Sequence, residues 1–95
     1  MATEASTQNS SVNDDDTLVA QWIEPDPNRP GAYNVWVVDY CVHVWAIIGY
    51  LEAVSGNIDR VAEDYDLPVD AVRAAVAYYR QHKEIIDARL AANAA

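Results

Sequence analysis

The stretch NIDRVAEDYDLPVDAVRAAVAYY, residues 57–79, constrains the fold more than any other part of the chain. Val61, Ala62 and Tyr65 keep a helical period up to the tyrosine, and from Val69 the apolar positions Val72, Val76 and Tyr79 again fall three or four apart. Proline lacks the N–H that a helix interior needs, but is tolerated in or beside a first turn. Two helices must therefore meet at Asp66-Leu67-Pro68, and Asn57 is placed to cap the first, with Asp59 near its positive end. A small Ala62 lets the helices cross closely, Leu67 fills the turn, and Val72 and Ala75 belong to the inner face of the second helix. Asp66 occupies the place where glycine is common, and aspartate enters the left-handed region more readily than most residues. This is a helix-turn-helix pattern. In such a unit the outward residues at the start of the second helix meet base edges, and here they are read as Pro68, Val69, Asp70, Arg73 and Ala74.

The flanking segments fit around that unit. Val44, Ile47, Ile48 and Leu51 predict a helix that Gly56 ends in a left-handed conformation. The stripe from Val69 continues through Lys83, Ile86 and Leu90, as one long helix or as two bent near His82, and Lys83 lays its stem on the apolar face with its ammonium in water. Upstream, YNVWVVDYCVHVW is dense in β-branched and aromatic residues, which predicts short strands broken near Asp39 and Tyr40, and TLVAQWIE (17–24) is read as another strand before the loop PDPNRPG. Residues 1–17 are polar and acidic with almost no large apolar side chain, and are expected to form a disordered tail on a single domain spanning 18–95. The expected fold is mainly α: a helix-turn-helix bundle of three to four helices preceded by a short β-strand or hairpin.

Charge bears on partners. Six Lys and Arg against 15 Asp and Glu leave a net charge of −9, which repels phosphate backbones over any distance that salt does not screen. The distribution is uneven: residues 1–28 hold six of the acids and no base, whereas Val69 to Lys83 holds Arg73, Arg80 and Lys83 against Asp70 alone, a local net of +2. Those three cations are the candidate DNA-binding residues; Arg73 is the reader suited to guanine. Affinity for DNA is expected to be weak for the isolated protein and to require dimerisation or a basic partner.

Little else in the sequence suggests chemistry. Cys41 stands alone and is read as a small buried hydrophobe. Together with His43 and His82 it lacks a fourth ligand and a recognised metal spacing, so no metal or other cofactor is expected. No Gly-rich phosphate loop or nucleophile-base-orienter set is present, so an enzyme is not expected. The first residues carry neither a basic end nor an apolar run, and no segment reaches membrane-spanning length, so a cytoplasmic protein without membrane contact is expected. The aromatic content points instead to contact surfaces. Trp36, Trp45 and Tyr78 are the candidate partner or dimer residues, Tyr78 because its neighbour Tyr79 lies on the apolar stripe and adjacent residues cannot both face one core.

The segment VHVWAIIGYLEAVSGNIDRVAEDYDLPVDAVRAAVAYYRQHKEIIDARLAAN resembles the domain-of-unknown-function 433 family, small prokaryotic proteins related to VapB-type antitoxins. The resemblance covers roughly residues 23–93 and rests on the Val-Trp entry to a helix, the E-D-Y-x-L turn, V-x-A-A-x-A-Y-Y, and the closing H-x-E-I-I-D. The basic G-x-R stretch that such proteins often carry before the first helix is replaced here by NVWVVDYCV. The resemblance implies a β-extended or winged helix-turn-helix fold, self-association as a homodimer or higher, and a PIN-like ribonuclease toxin as partner. Antitoxins also place an arginine at the acidic metal site of such a toxin, and Arg89 is the candidate by position. Two expectations follow: an antitoxin-like protein that masks a ribonuclease and represses its own operon through the operator DNA, or a homo-oligomeric adaptor that keeps the helix-turn-helix frame without binding DNA.

Overall fold

A computed structural model describes residues 14–94. In chain order these form helix α1 (residues 14–22), strand β1 (Ile23–Glu24), a 3-10 turn at Ala32–Asn34, strand β2 (Trp36–Val37), and helices α2 (Val44–Ala53), α3 (Ile58–Tyr65), α4 (Val69–Gln81) and α5 (Lys83–Ala94). The architecture is mainly helical with one two-stranded antiparallel element, as the sequence predicts. Among the described residues no helix is long and apolar enough to cross a membrane.

The largest departure lies at the beginning. Residues 1–13 of the expected tail fall outside the described residues, but 14–17 are helical, and most of the strand expected at 17–24 belongs to the same helix. Val19 and Trp22 lie three apart, and Leu18 and Trp22 four apart, so a helix brings them to one side; Val19 and Trp22 pack against the core. Ala20 and Gln21 are also good helix formers, and only Ile23 and Glu24 remain extended.

β1 pairs with β2 in the register Ile23 to Val37 and Glu24 to Trp36. The chain then turns through residues 38–42, near the predicted break, closed by bonds of 2.9 Å to the Val37 carbonyl from the Cys41 amide and from the Val37 amide to the Val42 carbonyl. Asp39 and Cys41 both adopt positive φ in this turn, at 70° and 58°. That conformation leaves Cys41 exposed rather than buried. The hairpin partner of β2 is reduced to a single bridge between Trp36 and His43.

α2 begins after His43, buries Val44, Ile47 and Ile48, and ends as predicted near Gly56 (φ 81°), although Ser55 (φ 58°) takes the first left-handed position. The Gly56 amide reaches back to the Leu51 carbonyl at 2.8 Å, closing the helix end. Asn57 caps α3 by accepting from the Arg60 amide at 3.1 Å. α3 ends at Asp66 in the left-handed region (φ 58°, ψ 46°), and the Leu67 amide donates to the Ala62 carbonyl at 2.9 Å.

α4 is the central element, packed on α2, α3, α5 and β1. Its buried face is Ala71, Val72, Ala74, Ala75, Ala77 and Tyr78, while Val69, Val76 and Tyr79 of the predicted stripe are only half-buried. The inner face is rotated toward the alanines because short side chains let a central helix approach several neighbours at once, leaving the larger residues at the margins. Ala74 is therefore interior, not an outward residue of the second helix. The chain bends at His82 (φ −135°, ψ 42°), which resolves the apolar stripe into two helices. α5 returns over α2, burying Ile86 and setting Leu90 against Gly49, where an added Cβ would lie 3.1 Å from a Leu90 methyl.

Candidate functional site

The helix-turn-helix pair is built by the residues that the sequence singles out. Val61, Ala62, Leu67, Val72 and Ala75 are buried at the crossing of α3 and α4, and Tyr65 packs at its edge against Tyr50, with ring centroids 5.4 Å apart. On the outer side only Asp70 and Arg73 of the five predicted positions are exposed; Pro68 and Val69 are half-buried and Ala74 is sealed. The Arg73 guanidinium and the Arg80 guanidinium both lie outside the core, with side chains 59% and 60% exposed. Lys83 stands beyond the His82 bend, on α5 rather than on α4.

Each of these three cations already faces a carboxylate. Arg73 pairs with Asp70 at 3.5 Å, one turn away on the same helix. Lys83 pairs with Asp87 at 2.7 Å, an i,i+4 contact within α5, and its ammonium lies 5.5 Å from the Tyr79 ring centre. Asp87, and after it Tyr79, hold the Lys83 ammonium above its ordinary pKa, so it is charged at neutral pH. Arg80 binds both oxygens of Asp15 on α1, at 3.1 to 3.3 Å, and the neighbouring Gln81 donates to Asp16 at 2.9 Å. The sequence gives no sign of this last pairing, because the partners are 65 positions apart. On α3, Asp64 similarly takes Arg60 at 2.8 Å and the Tyr50 hydroxyl.

A second constellation forms at the β element. His43 Nε2 lies 2.9 Å from a carboxylate oxygen of Asp26, which is buried and also accepts from the Asn28 amide at 2.8 Å. A carboxylate can only accept, so this contact puts the proton on Nε2. Burial pushes the Asp26 carboxyl up, but hydrogen bonding from His43 and from Asn28 outweighs it and holds the group below its ordinary value. The His43 ring stacks on Trp45 (5.8 Å, 15°) and tilts against Trp36 (5.7 Å), whose Nε1 donates to Glu24 at 2.9 Å. The Arg89 guanidinium completes the row, 5.1 Å from the Trp45 ring and 5.9 Å from the Tyr33 ring. Arg89 Nε and Trp45 Nε1 are buried without a hydrogen-bond partner among the described residues.

Trp36, Trp45 and Arg89 are thus brought together, and Tyr78 is not among them. Tyr78 points inward, 6% exposed, with its hydroxyl donating to the Ala32 carbonyl at 2.7 Å and its ring stacked on His82 at 4.2 Å. The expectation that Tyr78 faces outward and Tyr79 inward is reversed. The rotation of α4 toward its alanines carries Tyr78 into the core and leaves Tyr79 at the edge, bonded to Asp87 at 2.7 Å. Asp26, His43 and Tyr33 are not legible in the sequence as partner-surface residues; their only signals, a Pro-flanked aspartate and an isolated histidine between aromatics, are both weak by themselves. Tyr33 and Ile85 are exposed and, with Ala88, Arg89 and Ala92, line a largely apolar cleft along α5. Among the described residues no three metal-binding side chains converge, Cys41, His43 and His82 included.

The fold and these surfaces define a small, mainly helical protein with a helix-turn-helix pair on one side and an aromatic, arginine-bearing cleft on another. No family model, curated protein or solved structure matches the chain.

Proposed function

We propose that this chain is an antitoxin-like binding protein, with the row Trp36, His43, Trp45, Arg89 and Tyr33 as its partner surface and α4 as a weak operator-facing helix. The carrying observation is the row itself: Trp36 and Trp45 joined through the His43 ring, and Arg89 over the Trp45 and Tyr33 rings, with Arg89 and Tyr33 also lining an apolar cleft in which Tyr33 is 42% exposed and Ile85 38% exposed. Aromatic and arginine side chains dominate the energetics of protein interfaces, and this set is already ordered before any partner arrives. A net charge of −9 suits a basic partner such as a ribonuclease surface, which it would attract at long range. The resemblance to the domain-of-unknown-function 433 family supports a PIN-like toxin as that partner, with cytoplasmic self-association. The E-D-Y-x-L and V-x-A-A segments that carry the resemblance form the α3–α4 turn and the buried face of α4.

The test is co-expression with a PIN-like protein encoded beside this chain, followed by mass measurement of the complex and a ribonuclease assay. Complex formation with inhibition is expected, Trp45→Ala should weaken both, and Arg89→Ala should relieve inhibition. Full inhibition by Arg89→Ala removes that residue from the role, and absence of a complex removes the proposal. One observation favours the adaptor reading: Arg73, Arg80 and Lys83 are each paired with an acid. Gel-shift titration on the upstream promoter at low salt separates the two. An adaptor shows no shift with or without its partner, whereas tight binding by the isolated protein contradicts the weak operator contact proposed for α4.

A further inference from the structure

The acidic turn of α1 lies on the exposed side of α4. Asp15, Leu18, Ile58, Arg73, Val76 and Arg80 line one cleft where α1, α3 and α4 meet, so Asp15 reaches Arg80 in the cleft that Arg73 also borders. The contact is two-sided: Arg80 Nε and Nη2 both reach the Asp15 carboxylate, and Asp16 accepts from the Gln81 amide group one residue further along α4. A carboxylate that accepts two N–H bonds from one guanidinium has the geometry with which arginine takes a phosphate.

The described residues of α1 are held differently along the helix. Val19 and Trp22 pack against the core, which fixes the end of the helix nearest β1. The acidic end is held by an ion pair whose arginine side chain is 60% exposed, together with the bond from Gln81 to the exposed Asp16. Exposed pairs of this kind are weak and are screened by salt, so the acidic turn can leave Arg80 while the apolar end stays in place.

We infer that residues Asp15 and Asp16 of α1 act as an intramolecular phosphate mimic, covering Arg80 and gating access of a duplex DNA backbone to α4. This rests on α4 being the nucleic-acid-facing helix. A DNA phosphate that takes Arg80 through Nε and Nη2 displaces the Asp15 carboxylate and meets the negative charge of Asp16 beside it. The gate therefore lowers affinity for any sequence and reduces the salt dependence of binding, since Arg80 exchanges one anion for another.

The experiment uses the full chain and a labelled duplex of about 20 base pairs, read by fluorescence anisotropy from about 50 to 200 mM salt. Compared are the unaltered protein, Asp15→Asn/Asp16→Asn, and Asp39→Asn/Glu52→Gln, which changes formal charge equally on exposed residues outside α1 and α4. The α1 variant should bind about fivefold more tightly, near the upper limit for an exposed ion pair. Its log K against log salt slope should steepen by about 0.9, the value for one added phosphate contact. The control should move less than about twofold, as expected of exposed charge that is not paired with a residue of α4 and is screened by salt, and adding Arg80→Ala to the α1 variant should abolish its gain. Thermal unfolding of each variant verifies that it is folded. Equal gains in the α1 variant and the control overturn the gate while leaving α4 as a DNA-binding helix. No binding by any folded variant overturns the reading of α4 and the gate with it.

Discussion

Tyr78 offers the sharpest test of how α4 is seated. Its ring is 6% exposed, stacked on His82, and its hydroxyl bridges to the Ala32 carbonyl 46 positions away, tying the end of α4 to the turn before β2. Truncating a buried aromatic residue to alanine costs about 3–5 kcal/mol, the lost transfer energy plus the cavity left behind. A chain of this size has a total stability on the order of 5–15 kcal/mol, so Tyr78→Ala should remove between about a fifth of it and nearly all of it. Tyr78→Phe isolates the hydroxyl. The net value of one such bond is about 0.5–1.5 kcal/mol, and because Ala32 is exposed, water can take over its carbonyl, which places the cost in the lower half of that range. Urea unfolding followed by circular dichroism measures both, and a melting point lowered by about 4–8 °C for each kcal/mol provides the check. Were Tyr78 an external contact, as its place beside Tyr79 first suggests, its replacement by alanine would stay within about 0.5 kcal/mol. A loss for Tyr78→Ala below about 1 kcal/mol would refute the interior position and the rotation of α4 that produces it.

Three further outcomes follow from local geometry. Asp66 carries the left-handed conformation that closes α3 (φ 58°), which costs a residue with a Cβ about 1–2 kcal/mol; Asp66→Gly should raise stability by about 0.5–1 kcal/mol in urea unfolding, glycine's greater chain entropy offsetting the rest. Asn57→Ala removes the cap on the Arg60 amide and should cost about 1 kcal/mol in the same assay, whereas Asn57→Ser should restore most of it. The Asp26 carboxyl is held below its ordinary value, so its contact with His43 stabilises the fold above the unfolded pKa of 3.8 and is lost as pH falls through the folded value. Asp64, held down by Tyr50 and then Arg60, and Asp87, held down by Lys83 and then Tyr79, act in the same direction. Urea midpoints from about pH 6 to pH 3 should therefore fall on the acid side, and less steeply for Asp26→Asn; an unchanged slope would mean that the pair contributes nothing to folding.

The parts of the fold legible in the sequence are those fixed by neighbours in the chain. Asn57, Asp66, Leu67 and Pro68 each do locally what their side chains favour, and the α3–α4 turn is found where they place it. The rotation of α4 was not legible, because a stripe of Val69, Val72, Val76 and Tyr79 and a band of alanines both satisfy a helical period. Which one turns inward depends on how many neighbours crowd the helix. α1 is hard to read for a related reason: TLVAQWIE is too short and too continuously apolar to fix its period, and the core surface available to Val19 and Trp22 selects the helix. The row of Trp36, Trp45 and Arg89 was anticipated as a set of candidates, but its organisation depends on His43 and the buried Asp26, which the chain brings together from 17 positions apart.

The ion pairs also show how the basic segment of an acidic chain is neutralised in the fold. In the sequence, Val69 to Lys83 carries a surplus of +2. In three dimensions Asp15 and Asp87 enter the same neighbourhood and, with Asp70, match the three cations one for one. What the helix offers to DNA is then set less by its own residues than by which of these pairs yields most easily. Arg73 and Lys83 are held from within their own helices, where the acid remains tethered a turn away whatever arrives. Arg80 is held by an acid on a separate helix, α1. Two turns separate Arg73 from Arg80, about 10 Å along the axis, so one guanidinium stands at the end suited to base edges and the other at a distance suited to the backbone. On the proposed reading of α4 as the DNA-facing helix, affinity is regulated at Arg80 while the discriminating contact at Arg73 is left unchanged.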